Sequence, residues 1–538
     1  MRGSVRRAAE VATGMVLALA SAPPVPAAAK PVPPVVTAAV QVSQDPNPAR
    51  AHAMAQITRN PKTGTLIVAD SDARIRRTVD VYRSTDDGAN WQPGGDPMLK
   101  PWTDSSGDPD ANVNHTLAYD KNGVLYIAFQ ANDPKFSQLA RKDRPRHIFL
   151  ARSTDDGLTF STVKVWDAPE APEGDRGLKR NNRPWVAIDP NNSKYVYVSW
   201  MQWHIDDQPT TSGNKALIAA SSDGGRTFGK PFSLREGDPQ GSYEARPAVD
   251  GKGVVHVVMA GRGRVPPATD PTAPPAPAPI RTVNYRFSTD HGHTWSPAKQ
   301  IEQGNAGFSF NRKWGLRADP NSNTLYAVWY GTPDPRATRP TADRDIYMRI
   351  SYDSGKNWTD RIVVNDDAAL PNVQHYDPNI SVAPNGRLDV TWLDGRNSPT
   401  PEIDKPSGND GGYQDVYYRY SNDGGRTFSQ AIKVTDRIID RRYGVWSNNS
   451  HIHAPVGIVS TNDTVYFAWQ DSRNGTNDGS AEDSYFASVR LNEKKSSGVP
   501  RPVLVAASLA GGMGITMLLV LGLSRRRGSA KRNPLPQG

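Results

Sequence analysis

From residue 35 to 492 the chain runs in short apolar segments, with β-branched and aromatic residues alternating with polar ones. Turns rich in Gly, Asn and Asp separate them. A period of two is the signature of strands with one buried face. The segments come in sets. Residues 116–119, 124–129 and 147–152 form one set of three, and 184–188, 195–200 and 216–220 the next. A fourth segment follows each set, at 161–166 and 431–435 for example. Four antiparallel strands per unit, repeated along the chain, predict an all-β propeller with one blade per unit.

Between the third and fourth segments of six units stands the same short pattern. In the first it is Ser84-Thr85-Asp86-Asp87-Gly88-Ala89-Asn90-Trp91. Its aromatic position returns at Phe160, Phe228, Trp295, Trp358 and Phe428, at intervals of 69, 68, 67, 63 and 70 residues. The aspartate can accept N–H bonds across its own turn, the glycine permits a positive φ, and the aromatic ring plugs the hairpin. These are mechanical duties, so the pattern reads as scaffold.

A seventh unit, 454–459, 464–470 and 484–491, has no such turn and no fourth strand of its own. Residues 36–42 resemble a fourth strand and precede the first unit. The N-terminal strand is therefore expected to complete the last of seven blades and remove an open edge. Six blades plus an appended segment is the alternative count. Long connections between second and third strands, such as 131–146, 202–214, 331–344 and 395–414, should lie opposite the tight turns, on the face where function is expected.

Composition changes the picture mainly at the ends. With 13 Trp, 19 Tyr and 12 Phe the body can bury a core. The absence of cysteine excludes disulfides, thiolate metal sites and a cysteine nucleophile. The net charge of +9 is carried by Arg2, Arg6, Arg7 and Lys30 against Glu10 at one end, and by Arg501, Arg525, Arg526, Arg527, Lys531 and Arg532 at the other. Residues 35–498 are neutral, which argues against a nucleic-acid partner. Residues 1–29 read as a secretory signal with an Ala27-Ala28-Ala29 cleavage site. After a linker at 493–502, residues 503–524 read as a single transmembrane helix and 525–538 as a basic cytoplasmic tail. The expected location is the cell membrane, with the propeller ectodomain at 35–492 outside.

The six turns resemble those of the sialidase (neuraminidase) superfamily, the BNR or Asp-box proteins, over roughly residues 36–490. That resemblance implies exo-hydrolysis of terminal sialic-acid-type sugars. Several arginines would hold the substrate carboxylate, a tyrosine with a carboxylate beside it would attack the anomeric carbon, and a further acid would protonate the leaving oxygen. The residues that begin successive first strands supply candidates. Arg50, Arg183, Arg246 and Arg312 would bind substrate, Tyr376 would be the nucleophile with Glu244 as its partner, and Asp70 or Asp72 the acid. The family's Arg-Ile-Pro signature is missing, since Arg50 is followed by Ala51-His52.

Plainer readings stand beside these. Arg183-Pro184 and Arg246-Pro247 also fit a repeat consensus, and Tyr376 fits an ordinary strand-end aromatic. Asp394-Gly395-Arg396-Asn397 and Asp471-Ser472-Arg473-Asn474 read as local Asp–Arg pairs, and Trp200, Trp329, Trp392 and Trp469 as inter-blade packing. No cofactor is expected, and no metal, since no H-E-x-x-H spacing exists. A non-catalytic propeller binding a glycan or a protein at the cell surface is the alternative function.

Overall fold

A computed structural model describes residues 33–44, 52–72, 79–98, 115–132, 145–166, 179–204, 215–234, 242–262, 281–304, 314–331, 344–368, 373–399, 412–441, 455–475, 482–491 and 503–504. They form seven four-stranded antiparallel blades. Blade 1 is His52–Arg59, Leu66–Asp72, Val79–Ser84 and Gln92–Pro93. Blades 2 to 6 repeat this order, with first strands at His115–Tyr119, Lys179–Ile188, Ser242–Val249, Trp314–Ala318 and His375–Val382.

Blade 7 has only three strands in sequence, Gly457–Ser460, Thr464–Asp471 and Asp483–Arg490. Its fourth place is taken by the N-terminal segment: Val36 pairs with Val489 and Val40 with Phe486. The expected single strand at 36–42 is two pieces, Val35–Thr37 and Val40–Gln41, whose registers differ by one residue. The ring therefore closes as expected, in seven blades.

The fourth strand Ser161–Trp166 has its expected bounds, but several others are shorter than the sequence pattern implied, as at 431–435. Four of them are two residues long, Gln92–Pro93, Phe232–Ser233, Ile362–Val363 and Ile432–Lys433. Outer positions bury one face at most, so alternation persists after the ladder has ended.

The C-terminal expectation is corrected in part. Val503–Leu504, read as the start of a membrane helix, is a two-residue strand on the far edge of Val35–Thr37, with Thr37 opposite Val503. The free edge of that strand offers backbone partners that an extended segment satisfies. No helix among the described residues is long and apolar enough to cross a membrane. The signal segment, the linker and residues 505–538 lie outside the described residues.

Each repeated turn is built as its residue types dictate. In blade 3, Ser221 Oγ donates to Asp223 Oδ1 at 2.7 Å, and Gly225 N–H donates to Ser221 Oγ at 2.8 Å. Thr227 donates from its N–H to Oδ1 (3.0 Å) and from its hydroxyl to Oδ2 (2.6 Å). The turn also has a second duty that its own sequence does not display: it clamps the preceding blade. A Cβ on Gly355 would lie 2.1 Å from the Tyr285 hydroxyl of blade 4, so only glycine, at φ +84°, admits that ring. Tyrosines of one blade reach the next blade's turn. Tyr126 OH donates to Gly224 O (3.4 Å), Tyr285 OH to Ser354 O (3.1 Å) and Tyr466 OH to Asp87 Oδ1 (3.2 Å).

Blade 6 faces a neighbour without the turn, and its chemistry changes accordingly. Asp389 stands at the second-strand position that is tyrosine in blades 2, 3, 5 and 7. It is buried and paired with Arg387 at 2.8 Å (Nε) and 3.0 Å (Nη2). Arg387 donates onward to the carbonyls of Asn462 (2.6 Å) and Thr461 (2.9 Å) in blade 7.

Arg387→Ala would strand a buried carboxylate and two carbonyls. It is expected to lower unfolding free energy by about 3–5 kcal/mol in urea titration; a loss below ~1 kcal/mol would mean that this seam is held elsewhere.

Candidate functional site

The innermost strands carry a recurrent irregularity at their beginnings. Pairing with the second strand slips between Ala53 and Gln56, between Asn182 and Trp185, between Ser242 and Ala245, and between Tyr376 and Asn379. These are β-bulges, which re-aim side chains. At three of them a non-glycine residue has positive φ: Met54 (65°), Arg183 (56°) and Asp377 (50°). Such backbone costs on the order of 1 kcal/mol or more and persists where its surroundings fix it. The N–H of Met54 donates to Gln470 Oε1 (2.8 Å) and that of Arg183 to Gln130 Oε1 (2.7 Å), each glutamine belonging to the preceding blade.

Register places Arg183 and Glu244 at equivalent bulge positions of blades 3 and 4, and Trp185 and Arg246 at the equivalent position two residues on. The four meet. Glu244 Oε2 accepts from Arg183 Nη1 at 3.2 Å, and Oε1 accepts from Trp185 Nε1 at 3.2 Å and from Arg246 Nη2 at 3.4 Å. The Arg246 guanidinium lies 3.9 Å over the Trp185 ring, a cation–π contact. Burial works against the charge of Glu244, but Arg183 and then Arg246 outweigh it and leave its pKa below the ordinary carboxylate value. Burial lowers Arg246 to about 10, against the pull of Glu244 and with some repulsion from Arg317 of blade 5. Both guanidiniums stay charged at neutral pH.

A second buried group spans blades 5 and 6. His375 Nε2 lies 3.0 Å from Asp367 and 3.4 Å from Asp394. Arg396 grips Asp394 through Nε (3.0 Å) and Nη2 (2.8 Å), and reaches Asp366 at 2.9 Å. Trp392 Nε1 donates to Asp394 at 2.7 Å. Blade 7 repeats the pattern, with Arg473 on Asp471 and Asp436 and Trp469 Nε1 on Asp471. The local Asp–Arg pairs read from the sequence are thus present, and each also reaches the preceding blade's outer segment.

Two groups place one histidine and two aspartates within 4.8 Å, His52–Asp70–Asp80 and Asp367–His375–Asp394. In the second, the guanidinium and imidazolium already supply the positive charge a cation would bring, so it fits an ion-pair network better than a metal.

Arg183, Glu244 and Arg246 come together, with Glu244 on the arginines and Trp185. Tyr376 is fully buried, edge-on to Tyr330 at 5.7 Å, with the Arg344 guanidinium 5.0 Å from its ring centroid. Asp70 is fully buried, meeting His52 Nδ1 (3.2 Å) and accepting from Ser484 Oγ (2.6 Å). Asp72 pairs through its backbone with His52. Arg50 and Arg312 lie outside the described residues. Sequence reading missed Trp185, Arg317 and Arg344; for Trp185 the signal was its register with Arg246. A cavity of about 20 Å³ beside Leu393, Gln414, Val456 and Trp469 has room for one water and not for a sugar.

No family model matches the chain, and no curated protein matches it. Among solved structures it is similar to the Hadza microbial sialidase Hz136, at 14% identity and TM-score 0.43 over 78% of this chain and 75% of that one. It is also similar to the α-L-arabinofuranosidase Arb93A of Fusarium graminearum, at 14% and 0.39 over 66% and 93%. Trypanosoma rangeli sialidase matches at 14% and 0.40 over 70% and 54%. Likenesses this distant carry no argument about reaction or residues.

The histidine network makes stability depend on pH. Burial disfavours the imidazolium of His375, yet Asp367 and Asp394 push its pKa from 6.5 up to about 10. A raised folded-state value means stabilisation that is complete below pH 6.5 and lost as pH rises through about 10. Unfolding free energy of the wild-type chain should fall across that window. In His375→Gln the fall should be absent, and an unchanged slope in denaturant titrations would contradict the network.

Proposed function

We propose that this chain is a cell-surface propeller of glycosidase type that takes a carboxylate-bearing terminal sugar, of the sialic-acid kind, at its hub. The observation that carries this reading is the convergence of Arg183 and Arg246, from two adjacent blades, on one carboxylate point beside a tryptophan. Guanidinium donors on a strained, bulged backbone suit the carboxylate of a sugar. An indole beside them offers apolar surface for a ring. Arg50 and Arg312 would extend the clamp, Tyr376 would attack the anomeric carbon, and Asp70 or Asp72 would protonate the leaving oxygen. Retention of configuration would follow, as in any double displacement.

The second reading, a propeller that binds such a glycan or a protein without cleaving it, is favoured by one specific observation. Tyr376 is fully buried, and Glu244 is engaged by the arginines. For location, we propose that the apolar residues from Val505 to Leu523, followed by Arg525-Arg526-Arg527, anchor the chain with the propeller outside.

A fluorogenic sialoside tests the hydrolytic reading. Wild-type turnover should exceed that of Arg183→Ala by about 10²-fold in kcat/KM, the scale of losing one charged donor. Equal rates, or none, would leave only the binding reading. Truncation after residue 500 should release the propeller from washed membranes into the soluble fraction.

A further inference from the structure

We propose that Glu244 is a built-in occupant of the arginine site, which a ligand carboxylate must displace. The inference rests on the hub reading above and adds its regulation.

Geometry supports it. Charge-assisted contacts between guanidinium and carboxylate are commonly bidentate and about 2.7–2.9 Å long. Glu244 instead makes one contact to each arginine, at 3.2 and 3.4 Å, and a third to Trp185 Nε1 at 3.2 Å. One carboxylate is thus spread over three donors and meets none at close range. The reason lies in the fold: Glu244 and Arg183 sit at matching bulges of adjacent blades, so the strand geometry brings the glutamate in from the side. The guanidinium of Arg183 has Glu244 as its side-chain partner, and its side chain keeps 13% exposure.

Charge supports it too. Among the described residues, the charged groups facing Glu244 are Arg183 and Arg246, and Arg317 from blade 5 acts on Arg246. Among the described residues, three cations stand against one carboxylate, an excess of positive charge. A second anion entering face-on could pair with the Arg183 guanidinium, which Glu244 meets through a single nitrogen. In the resting molecule the glutamate also keeps the buried guanidiniums compensated. The site therefore stays folded when empty and binds more weakly than its arginines alone would.

The test uses N-acetylneuraminate, titrated calorimetrically into the full chain. When the competent state is a minor fraction, apparent affinity falls by that fraction. Glu244→Gln keeps the shape and removes the competing charge, so it should bind about tenfold tighter. It should also melt lower than wild type when free and gain more from the ligand in thermal melts. Trp185→Phe keeps a ring under Arg246 but removes one of the three holds on Glu244, and should bind a few-fold tighter.

Equal or weaker binding by a folded Glu244→Gln overturns the proposal. If that variant fails to fold, equal or weaker binding by Trp185→Phe overturns it. Should Arg183→Ala bind as well as wild type, or should no variant bind at all, the hub reading fails as well. Wild-type binding that Arg183→Ala abolishes and Glu244→Gln leaves unimproved removes the displacement alone.

Discussion

The structure depends on the way each outer turn is wedged against the blade before it. A blade of four short strands has two open edges and too little surface to bury by itself. Here the aspartate–serine bonding fixes the turn, the glycine leaves room for a neighbour's ring, and a tyrosine hydroxyl closes the contact, as at Gly355 and Tyr285. The repeat is thus a contact between units as much as a feature of one. Where a turn is missing, before blade 7, the aspartate–arginine pair of Asp389 and Arg387 takes over the same seam. Self-similar units held by nearest-neighbour contacts behave in this way, and each interface must be satisfied for the ring to stand.

The architecture was legible because its signals repeat. Six turns at near-constant spacing, and a seventh unit short of one strand, were enough to place seven blades and the closing role of residues 36–42. The site was legible only in part. That Arg183, Glu244 and Arg246 begin strands could be read, but not that they meet, because the bulge that aligns Glu244 with Arg183 leaves no trace in a period-two pattern. Tyr376 read as a nucleophile or as an ordinary strand-end aromatic; it is buried against the ring of Tyr330 and the guanidinium of Arg344. Asp70 read, with Asp72, as the candidate acid, and His52 and Ser484 hold it. Val503 and Leu504 belonged by hydropathy to a helix, whereas the edge of Val35–Thr37 draws them into an extended ladder.

Polar groups inside the ring are arranged by sign and by blade. Between blades 3 and 4 the excess among the described residues is positive, around Arg183 and Arg246. At blades 5 and 6 carboxylates dominate, with His375 and Arg396 among Asp366, Asp367 and Asp394. Buried charges of this kind add little net stability compared with apolar packing, but removing one partner is costly. They hold geometry. Two such clusters on different seams make the ring an asymmetric environment built from symmetric parts, which a repeat needs before it can recognise anything.

Closure by the amino-terminal strand also sets the order of events in folding. Ser488 donates its N–H to Thr37 across 451 residues of chain. Val35–Gln41 emerges from the ribosome before the six intervening blades, and its partner Asp483–Arg490 after them. Until then the early strand has no ladder to join, and the loop to be closed spans the other six blades. Its entropy grows only logarithmically with length, so the delay lies chiefly in synthesis and search. The six other blades can assemble as they appear, while the final one waits with an unprotected margin, the period in which this protein has most need of a chaperone.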